Sequence, residues 1–206
     1  MDQTLYCNLT SPYARRVRVL LRELGLEHDV QEEVVDPFAS PRNLLDRNPL
    51  SKIPVLVTGA GLTLPDSGLI MAFLLDGTED SDQGWPASRG DWSAATEVTL
   101  AEGVIDAAVA IVMENRRPES IRFPEQIDRQ VATIRRVLPR FEHRIGAQGG
   151  TASIAADITL GVALAYLDFR TPWLNWRDDH PCLDRWLSEW VTRPAMQATK
   201  PPDGPY

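Results

Sequence analysis

Two short stretches place hydroxyl or carboxyl side chains at predicted helix starts. Ser11 precedes Pro12, where a helical pattern begins, and Asp66 and Ser67 follow Pro65 and open another. Serine at the N-cap with proline in the first turn is a standard helix start, so capping alone accounts for Ser11. A helix N-terminus also carries about half a positive charge and unpaired N–H groups, so it stabilises an anion placed there. Ser11 is therefore a candidate for anion binding as well as for capping, whereas Asp66 and Ser67 are accounted for by a helix cap with an acidic first turn.

A third candidate stretch is Lys52-Ile53-Pro54, which directly precedes a buried strand pattern at residues 55–57. Proline has no N–H to give to a sheet, so it is confined to edges, first positions and bulges. Pro54 either begins the strand as an ordinary trans proline or shapes the backbone for another purpose. The local sequence leaves both interpretations open.

Strand and helix patterns alternate through residues 1–77. A strand pattern at residues 4–7 is followed by a helical pattern that stops at Gly25. Its apolar residues recur at helical spacing, at Val17, Leu20, Leu21 and Leu24. The further patterns give the order β-α-β-α-β-β-α. This order predicts an α/β domain over residues 1–77.

The rest of the chain has the composition of a linker followed by helices. Residues 78–90 are rich in acids, Gly, Ser and Pro, which favours a linker. Within residues 91–206 the clearest amphipathic stripe is Ile127, Val131, Ile134, Leu138, Phe141 and Ile145. Pro181 opens a last helical pattern. These patterns predict an all-helical domain over residues 91–206.

Composition excludes several classes of protein. The 206 residues carry a formal net charge of −8 and no broad basic block, which argues against nucleic-acid binding. The apolar runs are too short to cross a membrane, and the start lacks a secretory signal, so we expect a cytoplasmic protein without a membrane partner. The two cysteines and three histidines lack metal-ligand spacing, so we expect no metal.

The chain resembles the glutathione transferase family in three motifs and their order. "SPYARRVRVLL" looks like the family's first strand-to-helix junction, "NPLSKIPVL" like its cis-proline loop, and "LPDSGLIMAFLL" like the acid-Ser pair that opens its third helix. The match spans nearly the full length. The resemblance implies an α/β thioredoxin-like N-terminal domain and an all-α helical-bundle C-terminal domain.

The resemblance also implies how glutathione is bound. Pro54 would be cis, which leaves the backbone N–H and C=O of Ile53 free to pair with the cysteinyl part of glutathione. Ser67 would bind the γ-glutamyl carboxylate, Asp66 the ammonium group, and Lys52 the glycyl carboxylate. Glutathione would act as a co-substrate.

Ser11 is the predicted catalytic residue. Its hydroxyl and the helix N-terminus would lower the pKa of the glutathione thiol below the usual value of about 8.5. Thr10 offers a second hydroxyl, and Tyr6 a phenol inside the first strand. Cys7 would form a mixed disulfide with glutathione, as a cysteine does in some family members. The sequence leaves open whether Ser11, Thr10 or Cys7 activates the thiol.

The second substrate would be a small electrophile. Its pocket is predicted to include Tyr13, Met113, Arg116, Tyr166 and Trp173. Large apolar residues at helical spacing are more often core than pocket. The sequence does not identify the electrophile.

Two functions follow from the resemblance. The first is an enzyme of detoxification that conjugates the glutathione thiolate to an electrophile. The second is a non-catalytic binding or regulatory protein with the same fold. The family pattern also implies a homodimer.

Overall fold

The computed structural model describes residues 3–77, 85–150, 153–202 and 204. The linker was predicted at residues 78–90, of which residues 78–84 lie outside the described ranges. In its remaining part, Pro86–Arg89 form a 3₁₀ turn. The described residues of 1–89 and 194–204 form one compact unit, and those of 90–193 form a second. Within these ranges, no helix is both long and apolar enough to span a membrane.

The first unit is built on a mixed four-stranded sheet in the order β2-β1-β3-β4. β1 (Gln3–Cys7) and β2 (Val30–Val34) are parallel, whereas β3 (Val55–Val57) is antiparallel to both β1 and β4 (Thr63–Leu64). The helices are α1 (Pro12–Glu23), α2 (Arg42–Leu45) and α3 (Ser67–Asp76). The predicted β-α-β-α-β-β-α order is therefore confirmed.

Local signals account for the boundaries of α1. Ser11 caps its first turn, Pro12 is the first helical residue, and Gly25 beyond its end has a φ of +69°. Glycine reaches this left-handed conformation without steric cost. The apolar face of α1 is buried together with the sheet and α3, in a core that includes Leu5, Leu20, Leu56, Ile70 and Met71.

The second unit is helical. It contains α4 (Trp92–Asn115), α5 (Pro124–Gln148), α6 (Ile154–Arg170), α7 (Trp176–Asp179) and α8 (Pro181–Trp190). The inner part of the predicted α5 stripe is buried at Ile134, Leu138, Phe141 and Ile145, whereas Ile127 and Val131 nearer its start are half-buried. The fold class, a thioredoxin-like α/β domain followed by an all-α domain, is confirmed.

The last helix, α9 (Pro194–Ala198), returns to the first unit and packs on α1. The sequence pattern had placed residues 91–206 in one helical domain. No local signal in the sequence indicates this return, because it depends on contacts with residues 181 to 184 positions earlier.

Candidate functional site

Ser11 occupies the N-cap of α1, where its hydroxyl oxygen accepts a hydrogen bond from the Ala14 N–H at 3.2 Å. The side chain is half-buried. This bond uses the oxygen as an acceptor, and no described residue accepts the hydroxyl proton. That proton is therefore available to an anion beside the positive end of α1.

The alternative thiol-activating residues lie in less favourable surroundings. Thr10 donates its hydroxyl to Asn8 Oδ1 at 2.9 Å, so its proton is already engaged. Cys7 is buried inside β1, where burial, followed by the charge of Glu32, raises the pKa of its thiol to about 11. A thiol with this pKa stays protonated near neutral pH, and only the thiolate is a good nucleophile. The Tyr6 phenyl ring belongs to a small apolar cluster.

Asp66 and Ser67 open α3. Asp66 is the N-cap, and its Oδ1 accepts from the Leu69 N–H at 2.9 Å. Ser67 is only 2% exposed, and its hydroxyl oxygen accepts from Nε and Nη2 of Arg16 at 3.0 and 2.6 Å. Because both lone pairs of Ser67 receive a cationic donor, its own proton is left for a further acceptor.

The loop before β3 is ordered by Asn48, which is fully buried. Its Nδ2 donates to the Lys52 carbonyl at 2.9 Å, and its Oδ1 accepts from the Leu50 N–H at 3.1 Å. The Ile53–Pro54 peptide bond is cis, as the resemblance predicts. The Lys52 side chain is exposed. In the described part of the chain, the N–H and C=O of Ile53 have no hydrogen-bond partner.

These candidates meet at one end of the first unit. Tyr6 near the end of β1 pairs with Val55 at the start of β3, so the loop that carries Ser11 and the loop that carries Ile53 lie at the same sheet end. Arg16, in the second turn of α1, reaches Ser67 at the start of α3. Three features therefore lie close together: the start of α1, the unpaired backbone of Ile53 and the start of α3.

Sequence reasoning missed two residues of this site. Arg16 is not among the site residues predicted above, and its neighbours Arg18 and Arg22 on α1 pair with Glu32 of β2. Arg16 instead is fully buried. Its position one turn before Leu20, on the buried side of α1, was the available signal. Asn48 had no comparable signal, because its partners are backbone groups of its own loop.

The residues predicted for the electrophile pocket belong to different units, Tyr13 to the first and the other four to the second. Tyr13 is half-buried in the first turn of α1. Met113 and Arg116 lie at the end of α4, where Arg116 Nη1 is 3.9 Å from Met113 Sδ. Tyr166 is buried in α6, and Trp173 is exposed in the 3₁₀ turn Pro172–Leu174.

No cluster of three or more metal-ligating side chains occurs in the described ranges. The site consists of hydroxyl groups, backbone groups and helix termini. These groups suit an anionic peptide-like ligand.

Comparison with known proteins identifies similar sequences. Residues 10–76 match the family model "Glutathione S-transferase, N-terminal domain", and residues 124–189 match "Glutathione S-transferase, C-terminal domain". The GST-like protein YibF of Escherichia coli strain K12 is 28% identical over 94% of this chain and 96% of its own.

Solved structures extend this similarity. A glutathione transferase family member from Pseudomonas fluorescens Pf-5 with bound glutathione is 35% identical, with a TM-score of 0.87 over 98% of this chain and 100% of its own. A structure from the same source with bound S-(propanoic acid)-glutathione is 33% identical, with a TM-score of 0.83 over 100% of both chains.

Proposed function

Because this chain belongs to the glutathione S-transferase family, we propose that it conjugates the glutathione thiolate to an electrophilic small molecule. The observation that carries this proposal is the Ser11 hydroxyl at the start of α1, with its proton available and the unpaired backbone of Ile53 at the same sheet end. Relatives with bound glutathione and S-(propanoic acid)-glutathione support it.

In the proposed reaction, the Ser11 hydroxyl donates a hydrogen bond to the glutathione sulfur. This bond and the field of α1 favour the thiolate over the thiol, and the thiol proton passes to solvent. The sulfur then attacks the electrophilic carbon, the C–S bond forms, and the leaving group departs with its electron pair. The protein contributes ionisation and proximity and forms no covalent bond with either substrate.

The remaining candidates bind the tripeptide. Ile53 pairs through its backbone N–H and C=O with the cysteinyl residue, next to Pro54. Ser67 donates its proton to the γ-glutamyl carboxylate, and Asp66 meets the ammonium group. Lys52 extends from the loop to the glycyl carboxylate. Each assignment places a charged or polar ligand group opposite a complementary group of the first unit.

Replacing Ser11 by alanine tests the catalytic assignment. We expect Ser11→Ala to lower kcat/KM for a model aromatic electrophile about 100-fold, because one donor to the developing sulfur anion is lost. The acidic limb of the pH profile should also move toward the free thiol value of about 8.5. Steady-state kinetics from pH 5.5 to 9 measure both effects.

Cys7→Ala and Thr10→Ala are matched controls and should retain activity. If Cys7→Ala abolished turnover and Ser11→Ala did not, thiol transfer through Cys7 would replace this proposal. If the wild-type protein bound immobilised glutathione without turnover, it would be a non-catalytic binding or regulatory protein.

We also propose an oligomeric state, a cellular location and a role for the protein. Family membership supports a homodimer that acts in the cytoplasm in detoxification of small electrophiles. Light scattering coupled to gel filtration would test the dimer, and a monomer at micromolar concentration would contradict it.

A further inference from the structure

The loop between β1 and α1, residues 8–11, is organised around the side chain of Asn8. Its Oδ1 accepts two hydrogen bonds from Thr10, one from the backbone N–H at 3.0 Å and one from the hydroxyl at 2.9 Å. This arrangement is an Asx turn, in which a side-chain oxygen replaces a backbone carbonyl as the acceptor of the N–H two residues later. One side-chain oxygen therefore sets the path of the chain toward α1.

The same turn holds the residue at the start of α1. The Ser11 N–H donates to the Asn8 carbonyl at 3.1 Å, and the Ser11 carbonyl accepts from the Arg15 N–H at 2.9 Å. The Ser11 Oγ accepts from the Ala14 N–H at 3.2 Å. Both backbone groups and the side-chain oxygen of Ser11 are thus engaged within the first unit. The direction in which its hydroxyl proton is offered depends on the turn that Asn8 closes.

Asn8 also connects this loop to the sheet. Its Nδ2 donates to the Val35 carbonyl at 3.4 Å, and the Val35 N–H donates to the Cys7 carbonyl at 2.9 Å. Val35 is buried directly after β2, and Asn8 itself is half-buried. The amide of Asn8 therefore joins the start of α1 to the ends of two neighbouring strands.

We propose that Asn8 is a positioning residue of the conjugation reaction, whose amide holds the loop so that the Ser11 hydroxyl meets the glutathione sulfur. This proposal rests on the proposed function and adds a residue to it. The competing explanation is that Asn8 only ends β1 and stabilises the fold. In the Thr10→Ala control described above, the backbone N–H of residue 10 still donates to Asn8, so the turn stays closed.

The two explanations differ in the pKa of the thiol of bound glutathione, because only folded protein with bound ligand contributes to that measurement. If Asn8 positions Ser11, removal of the amide weakens the hydrogen bond to the sulfur and raises the thiol pKa. If Asn8 only stabilises the fold, the free energy of unfolding falls and the thiol pKa does not change. The charged side chains that act on the neighbouring Cys7 are the same in every variant: Glu32 of β2 and Arg18 and Arg22 of α1.

The first measurement is ultraviolet difference spectroscopy of bound glutathione, which reports the ratio of thiolate to thiol. We expect Asn8→Ala to lower this ratio about tenfold at pH 7, and Asn8→Ser, whose hydroxyl accepts from the same N–H more weakly, to lower it about threefold. Asn43→Ala is the matched control. It removes an exposed amide on α2 that donates to Glu33 at 2.5 Å, and it should keep the wild-type ratio.

The possible results separate this proposal from the proposed function. A wild-type ratio in a folded Asn8 variant would overturn the positioning role and leave the proposed function intact. If glutathione bound to the wild-type protein kept the free thiol pKa of about 8.5, the proposed function would be wrong, and this proposal with it.

The second measurement separates the reaction from binding of the tripeptide. At saturating glutathione, we expect Asn8→Ala to lower kcat for the model aromatic electrophile about tenfold, with less than about a twofold change in the KM for glutathione. Titration calorimetry with S-methylglutathione, which has no thiol, should give the same affinity for the variant and the wild type. A tenfold loss of affinity for this ligand would overturn the proposal, because Asn8 would then support the whole glutathione site and not Ser11 alone.

Discussion

The Ser67 hydroxyl lies against a guanidinium that is fully removed from water. Arg16 is 0% exposed and directs two hydrogen bonds at this one oxygen. We expect Ser67→Ala to lower the free energy of unfolding by about 1–3 kcal/mol, because a buried charged donor loses its acceptor. Urea denaturation followed by circular dichroism measures the change.

Ser188→Ala is the control for Ser67→Ala. Ser188 is exposed on α8, and its replacement should alter the unfolding free energy by less than about 0.5 kcal/mol. If the two variants had equal stability, the Arg16–Ser67 contact would contribute nothing measurable. The proposed role of Ser67 in ligand binding would be unaffected by that result.

At the scale of elements, α8 receives its N-terminal cap from another helix. Its own N-cap, His180, makes no side-chain cap. Glu142 of α5 accepts from the N–H groups of Cys182 and Leu183, each at 2.9 Å. Burial disfavours the ionised carboxylate, but these two bonds, together with the Cys182 side chain and the charge of His180, hold the pKa of Glu142 below its ordinary value of 4.5.

We therefore expect Glu142→Gln to cost about 1 kcal/mol of unfolding free energy at pH 7. A carboxyl group whose pKa is lowered by folding stabilises the protein above its unfolded pKa and loses that contribution as pH falls through the folded pKa. The difference between wild type and variant should thus shrink below pH 4.5. Denaturation at pH 7 and pH 3.5 tests this, with exposed Glu189→Gln as control. A difference of the same size at both pH values would contradict it.

The helix ends that the sequence predicts are those with local signals. Ser11 with Pro12 and Asp66 with Ser67 mark helix starts, and each cap bond joins residues three apart. Helix α6 begins at Ile154, three positions before Asp157. Ser153, one position further back, is the cap, and its oxygen accepts from the Ala156 N–H.

Contacts between residues distant in sequence could not be predicted in this way. The bond from Arg16 to Ser67 spans 51 residues, and the cap from Glu142 to Cys182 spans 40. A single sequence shows the periodicity of one helix but not which residue of another helix approaches its end. The sequence therefore predicted the residues at the helix starts of the candidate site, but it did not predict the side chains that contact them from other elements.

At the scale of the whole molecule, the C-terminal segment completes the first unit. Arg15 is buried in α1, and its Nη2 donates to the Met196 carbonyl of α9 at 3.1 Å. The side chains of Met196 and Thr199 are fully buried. The helix whose first turn carries Ser11 is therefore held in part by the last residues of the chain.

Because α9 packs on α1, we expect a destabilising substitution in α9 to destabilise α1 as well. We expect Met196→Ala to lower the free energy of unfolding by about 2–5 kcal/mol, because a fully buried side chain leaves a cavity. Hydrogen exchange should then speed up across residues 12–23. Ala198→Ser, an exposed change on the same short helix, should leave stability and exchange near wild type. Unchanged exchange in α1 of Met196→Ala would contradict the idea that α9 supports the helix that carries the proposed catalytic serine.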